Sequence, residues 1–186
     1  MPPPEHGFVH LADEVRLEGW RISFLRAQFE APDGTHFSRD VIRHPGAVAV
    51  VPVTDQDTVL LVRQYRGPVD RELLEIPAGT RDVEGEAPQT TARRELEEEV
   101  GVRAGSMEPL GTMLNSPGFC DQETLLYLAR QLEPVEAQRH SEEERYIEVV
   151  EVPLDAVSSM VASGELVDAQ TVLGLLLARD ALRAGA

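Results

Sequence analysis

The chain has 186 residues, 42% of them hydrophobic, with 33 acidic against 17 basic residues and a net charge of −16. That is apolar material for a full core in one domain, or one domain with an extension. The charge has the wrong sign for the phosphate backbone of a long nucleic acid, and no run of about 18 apolar residues is present to span a membrane. The N-terminus, MPPPEHG, carries no basic or apolar signal segment, and the single cysteine, Cys120, has no intrachain disulfide partner. Both features suit a reducing cytoplasm. All 17 basic residues are arginine.

In chain order, Met1–Gly7 is expected to be loose. From Trp20 to Glu30 the apolar Trp20, Ile22 and Phe24 alternate with polar residues, as in a half-buried strand. Ala31-Pro32-Asp33-Gly34 turns the chain, and His36–His44 returns as the second strand of a hairpin. Ala47–Thr54 (AVAVVPVT) is nearly all apolar, which predicts a central strand. Asp55-Gln56-Asp57 turns into the strand Thr58–Tyr65. After the loop GPVDR, a short strand, Leu73–Ile76, leads into Pro77-Ala78-Gly79, with Glu75 a candidate partner for an arginine. Further along, Glu108–Leu114, Thr124–Gln131 and Tyr146–Pro153 read as strands. Asn115–Gln122 and the polar, acidic Leu132–Arg145 read as loops. Leu154–Ser163 and Asp168–Arg183 read as helices split by Gly164, the second with an apolar face of Val172, Leu173, Leu176 and Leu177.

Between these elements lies Gly79–Val102, GTRDVEGEAPQTTARRELEEEVGV. A Gly-rich acidic loop runs to Glu86. Pro88 sits where a first helical turn tolerates it, because its missing N–H has no partner there. Thr90–Val100 are good helix formers, and Gly101 supplies the stop. Ala92, Leu96 and Val100 make one apolar stripe, and Glu95, Glu98 and Glu99 fall on the adjacent one. Such carboxylates repel by roughly a few tenths of a kcal/mol per pair. A divalent cation would turn that repulsion into affinity, since Mg2+ takes a few carboxylates together with water and phosphate oxygens. A bare acidic run reads equally as a solvated helix face; the spacing around it decides between the two.

That spacing resembles the Nudix box: Gly, five residues, Glu, seven residues, Arg-Glu, an apolar residue, any residue, Glu-Glu, any residue, Gly and an apolar residue. Glu86 is followed by seven residues and then Arg94-Glu95-Leu96-Glu97-Glu98-Glu99-Val100-Gly101-Val102, which meets every position on the helix. The departure lies in the loop, where six residues separate Gly79 from Glu86. The resemblance implies an α/β fold, a Nudix-type α/β/α sandwich with a mixed central sheet, preceded by an N-terminal β-hairpin or sheet. Residues 1–45 would be an extension for dimerisation and substrate contact, and 46–186 the hydrolase domain. The implied reaction is hydrolysis of a nucleoside diphosphate linked to a further group. It would use Mg2+ or Mn2+, two or more ions per site. Glu95 and Glu99 would be the main metal ligands and the Ala78 carbonyl the backbone ligand. Glu86 and Glu98 would be supporting ligands or stand behind them. Arg94 either fixes the box through Glu98, at i, i+4, or takes part directly.

Further marks resemble the ADP-ribose pyrophosphatase branch. Gln64-Tyr65-Arg66 recurs there with its arginine facing the substrate. Arg39, in SRDVIRHPGAV, matches an arginine just ahead of the domain. Pro117 stands sixteen residues after Gly101, within Ser116-Pro117-Gly118-Phe119, and implies a substrate loop. Where the branch often has an acidic residue, this chain has Gln122, with Glu123 beside it. The branch implies a homodimer, and a small-molecule nucleotide, ADP-ribose, cleaved to AMP and ribose 5-phosphate. Its general base comes from the loop before the last core strand, where Glu142, Glu143 and Glu144 stand; Glu143 is the favoured position. Two other readings stay open: a Nudix hydrolase of another nucleoside diphosphate derivative, such as a nucleotide sugar or an oxidised nucleotide, and a regulator that binds an ADP-ribose-like metabolite without cleaving it.

Overall fold

A computed structural model describes residues 6–139, 142 and 144–184. The chain forms two compact units: the described residues up to Gly46 together with Leu114–Glu123, and the rest. Leu114–Glu123, which the sequence places in the hydrolase domain, thus clusters with the first unit.

The first unit is a three-stranded antiparallel sheet, β1 (Val9–Glu18), β2 (Ser23–Glu30) and β3 (His36–Arg43), in that order. The predicted hairpin is β2–β3; β1 is additional to it. Trp20 is not in a strand. It lies in the turn between β1 and β2, closed by Gly19 N–H donating to the Ile22 carbonyl at 2.9 Å, and is 90% exposed. Cross-strand partners Phe29 and Phe37 stack at 5.4 Å. Leu114–Glu123 is tied to the end of β3: Ile42 N–H donates to the Phe119 carbonyl at 2.7 Å and Asp121 N–H to the Ile42 carbonyl at 3.2 Å. The Arg43 guanidinium bridges Asp121 (3.1 Å) and Asp13 of β1 (3.0 Å).

The second unit is organised on β4 (Ala47–Pro52), buried at every position as its apolar run predicts. Successive side chains of a strand point to opposite faces, so β4 feeds two cores. Ala49 and Val51 join Val59, Leu61, Ile76, Leu126, Leu166 and Leu175 in one. Val48 and Val50 join Val62, Ala92, Leu96, Val100 and Ile147 in the other. The first core takes residues of α2 (Val157–Ser163) and α3 (Ala169–Ala184), the second those of α1 (Pro88–Glu95). Helices therefore cover both faces of β4, as a layered α/β/α arrangement requires.

The strands of this unit fall into two sheets. One, in the order β7-β4-β9-β8, contains β7 (Ala78–Thr80), β8 (Val102–Leu114) and β9 (Glu123–Pro134). It is mixed: β4 runs parallel to β9 and antiparallel to β7. The other, β10-β5-β6, is antiparallel and made of β5 (Thr58–Arg66), β6 (Arg71–Glu75) and β10 (Glu148–Pro153). On α3 the fully buried positions are Gln170, Thr171, Gly174, Leu175 and Ala178; of the predicted stripe, Val172 and Leu177 pack half-buried against the first core and Leu173 is exposed. The buried face is rotated from the stripe because hydrogen-bonded Thr and a glycine can sit inside where hydropathy puts leucine. No helix among the described residues is long and apolar enough to cross a membrane.

Candidate active site

The strand-loop-helix Ala78–Val100 carries most of the site. Pro88 is the first residue of α1, and the helix widens at its end into a single π-turn, Leu96–Val100, before Gly101 closes it at φ 75°. π-turns inside helices concentrate at functional sites. Here the turn holds the Glu97-Glu98-Glu99 run.

Glu99 is buried, 5% exposed, and its Oε2 accepts the Ala78 N–H at 3.1 Å. Burial pushes its carboxyl up to about 8; Glu95 adds to the rise, and the Ala78 N–H and Arg66 oppose it. Burial likewise raises Glu95 to about 7, opposed by Arg94 and reinforced by Glu98. The Glu95 carboxyl group lies directly over Gly79, where a Cβ would collide with it. Gly79 is thus a space requirement, the close approach that only glycine permits.

Arg94 gathers the remaining acids. Its Nη1 stands 2.8 Å from Glu95 Oε1 and 3.1 Å from Glu98 Oε2, and its Nη2 3.6 Å from Glu86 Oε2. The i, i+4 ion pair with Glu98 is present as the spacing predicts. Thr91, fully buried, donates its hydroxyl to Glu86 Oε2 at 2.7 Å, so the residue after the extra loop position is still returned to the helix. No three His, Cys, Asp or Glu side chains among the described residues gather closely enough to hold an ion.

Beside the box, Arg66 at the end of β5 is forked by Glu75 of β6: Nε to Oε1 at 2.9 Å and Nη2 to Oε2 at 2.6 Å. The Glu75 hydrogen bonds raise the Arg66 pKa against the opposing effect of burial. Such a planar fork fixes the guanidinium while leaving Nη1 for a further anion. Buried Gln64 adds a long 3.5 Å contact to Glu75.

Among the loop acids, Glu143 lies outside the described residues. Glu142 pairs with Arg145 at 3.0 Å and is 82% exposed. Glu144 begins a helical turn, Glu144–Tyr146, and its charge raises both Glu95 and Glu99. The first unit holds the other predicted residues. Arg39 donates to the Ser38 carbonyl at 2.8 Å and lies 4.8 Å over the Phe37 ring. Pro117-Gly118-Phe119 forms a turn, with Phe119 and Cys120 N–H groups donating to the Ser116 carbonyl at 3.1 and 2.8 Å. Inside the second unit, then, the contacts form three sets, Arg66 with Glu75, Ala78 with Glu99, and Arg94 with Glu86, Glu95 and Glu98, and the charges of Arg66 and Glu95 both act on Glu99. Thr91 escaped the sequence reading, and Gln64 enters it only as part of the Gln64-Tyr65-Arg66 mark, with no role of its own. The one further signal is that each is a polar residue on an otherwise buried face.

A glycine-led loop, a short helix with clustered carboxylates and an arginine spanning them define a Nudix box. Residues 43–172 match the NUDIX domain model, and the chain belongs to that family. Over more than nine-tenths of its length it is similar to two curated relatives. It is 38% identical to an ADP-ribose pyrophosphatase of Bacillus subtilis, over 94% of this chain and 95% of that one. It is 36% identical to an ADP-ribose pyrophosphatase of Mycobacterium tuberculosis, over 92% and 83% respectively. A solved structure described as an ADP compounds hydrolase superposes with a TM-score of 0.83 at 23% identity, over 96% of each chain, and shares the fold.

Proposed function

We propose that this Nudix family member hydrolyses the pyrophosphate of ADP-ribose to AMP and ribose 5-phosphate with a divalent cation, Mg2+ or Mn2+. The observation that carries the reading is the Glu95–Glu99 pair: two neighbouring carboxylates, both pushed up by burial, in a chain similar along its length to ADP-ribose pyrophosphatases. Burying charge without a partner is costly. Arg94 serves Glu86, Glu95 and Glu98, whereas the Glu99 carboxylate accepts the Ala78 N–H and is otherwise offset by the charge of Arg66. Hard carboxylate oxygens on this scale suit Mg2+ or Mn2+. Glu95 and Glu99 would hold the ions with the Ala78 carbonyl, and Glu86 and Glu98 would support them. A bound cation supplies charge neutralisation for the pyrophosphate and acidifies water.

The protein's own groups do the remainder. Arg66, held flat by Glu75, binds phosphate oxygens through its free Nη1. Arg94 holds Glu86, Glu95 and Glu98 around one guanidinium, and if a cation took Glu95 that guanidinium would stay anchored by Glu86 and Glu98. One of the loop glutamates Glu142, Glu143 and Glu144 takes the proton of the attacking water; of the two described, Glu144 is the one whose charge reaches the box. Arg39 and Pro117-Gly118-Phe119 supply further substrate contacts. The protein acts as a cytoplasmic homodimer through the first unit, where Val9, Leu11, Val15 and Leu17 of β1 leave apolar surface exposed. The test is a panel of ADP-ribose, nucleotide sugars, nucleoside triphosphates and oxidised nucleotides with Mg2+. ADP-ribose should be turned over fastest, and equimolar AMP and ribose 5-phosphate should form. Faster turnover of another class would overturn the substrate; tight binding of ADP-ribose without cleavage would make the protein a regulator.

A further inference from the structure

We propose that Thr171, in the first turn of α3, is a positioning residue that fixes the segment Glu75–Gly79 on which the site is hung. This rests on reading Glu99 as a cation ligand. Thr171 carries no motif of the box and touches none of its carboxylates. It is fully buried. Its hydroxyl donates to Asp168 Oδ2 at 2.7 Å and accepts the Ile76 N–H at 3.0 Å. Asp168 Oδ2 also accepts the Thr171 N–H at 2.7 Å, in the manner of a helix N-cap. Asp168 therefore orients the hydroxyl so that its lone pair faces Ile76.

The place matters because the chain changes sheets there. Glu75 ends β6 in one sheet, and Ala78 begins β7 in the other. Ile76 and Pro77 belong to neither ladder. Pro77 has no N–H, and its carbonyl is held by the Val50 N–H at 2.9 Å. The Ile76 N–H is buried and is satisfied by the threonine hydroxyl. One residue before this tie, Glu75 forks Arg66; two residues after it, Ala78 N–H holds Glu99. Helix α3 also sits close over the same spot. A Cβ on Gly174, one turn along the buried face, would stand 2.9 Å from Ile76 Cδ1 and 3.2 Å from Val51 Cγ2. The C-terminal helix thus sets the position of both the phosphate-binding arginine and the backbone under Glu99.

The experiment compares Thr171→Val, which keeps shape and loses the hydroxyl, with Thr171→Ser, which keeps the hydroxyl. Val157→Ala, in the core on α2, serves as a control destabilised outside the site. Mn2+ binding is measured by calorimetry on folded protein, and amide exchange is followed over residues 75–80. Thr171→Val should bind Mn2+ about ten-fold or more weakly, the range seen when a group behind a metal ligand is lost. Its 75–80 amides should exchange faster, Thr171→Ser should restore both properties, and Val157→Ala should change neither. Unchanged Mn2+ affinity and exchange in folded Thr171→Val would overturn the proposal, as would the same changes in Val157→Ala. If Thr171→Val does not fold, Asp168→Ala, which frees the hydroxyl from its fixed orientation, should give the same two changes in smaller measure; none would again overturn it. A parent protein that binds no Mn2+ defeats the metal reading instead, and the exchange result then decides the positioning claim alone.

Discussion

Replacing Gly79 with alanine isolates the placement of one carboxylate. Gly79 has no positive φ, so alanine brings no backbone strain, and the exchange by itself stiffens the unfolded chain by about 0.4–1 kcal/mol in favour of folding. The cost is local. The new Cβ would meet the Glu95 carboxyl group well inside the 3.0 Å limit of real Cβ contacts, and the atoms it would meet belong to a side chain. That side chain is free to yield, so the fold should survive with Glu95 displaced by on the order of 1 Å, a misplacement worth about a hundredfold in rate. Glu95 would be pushed off Gly79 and out of the position from which it would hold a cation. The assay is ADP-ribose turnover at saturating Mg2+, alongside thermal melting. The expected result is a melting temperature near the parent's and a kcat lower by about two orders of magnitude. A Gly79→Ala protein with near-parental kcat would refute the reasoning, since Glu95 would then need no fixed position.

Three further outcomes follow from the same structure. In the folded chain Glu95 and Glu99 lie near 7 and 8, above their ordinary 4.5, so the stability from their neutral forms is complete below pH 4.5 and is lost as pH rises through about 8. Melting without metal should therefore fall over that window, and Mg2+ should raise it at pH 8 far more than at pH 5; a flat profile would contradict this. Glu144→Gln should lower kcat by about 10²–10⁴ with KM little changed, and a loss found only at Glu143→Gln would move the base to that residue. Val15→Asp with Leu17→Asp should give a monomer by light scattering with the fold intact, whereas a persistent dimer would place the interface elsewhere.

The elements legible in the sequence were those whose signal is local. The Ala47–Thr54 run, the Pro88 start, the Gly101 stop and the Arg94–Glu98 spacing each depend on neighbours in sequence, and the structure has all four, the strand ending at Pro52. Glu75 was legible as a partner for an arginine, but that the arginine is Arg66 depends on β5 and β6 pairing around their short loop. What escaped depends on distant partners. β1 is exposed along its whole length and exists by pairing with β2, so it carries little burial pattern of its own. Trp20 was misplaced because an aromatic next to alternating residues reads as strand, while Gly19 turns the chain. Thr171 and Gln170 are buried by hydrogen bonding and close packing rather than by hydropathy, which shifted the apparent face of α3. The π-turn at Leu96–Val100 has no compositional mark separating it from ordinary helix.

The central claim is that the Glu95–Glu99 pair is a cation site that drives pyrophosphate hydrolysis. Its most direct test is a Mn2+ titration of the parent and of Glu99→Gln, following occupancy by electron paramagnetic resonance and ADP-ribose turnover in the same samples. In the parent, turnover should rise with occupancy. In Glu99→Gln, occupancy should weaken and turnover should drop by on the order of a hundredfold or more, as charge at the transition state is lost. A Glu99→Gln protein that binds Mn2+ and cleaves ADP-ribose like the parent would contradict the account.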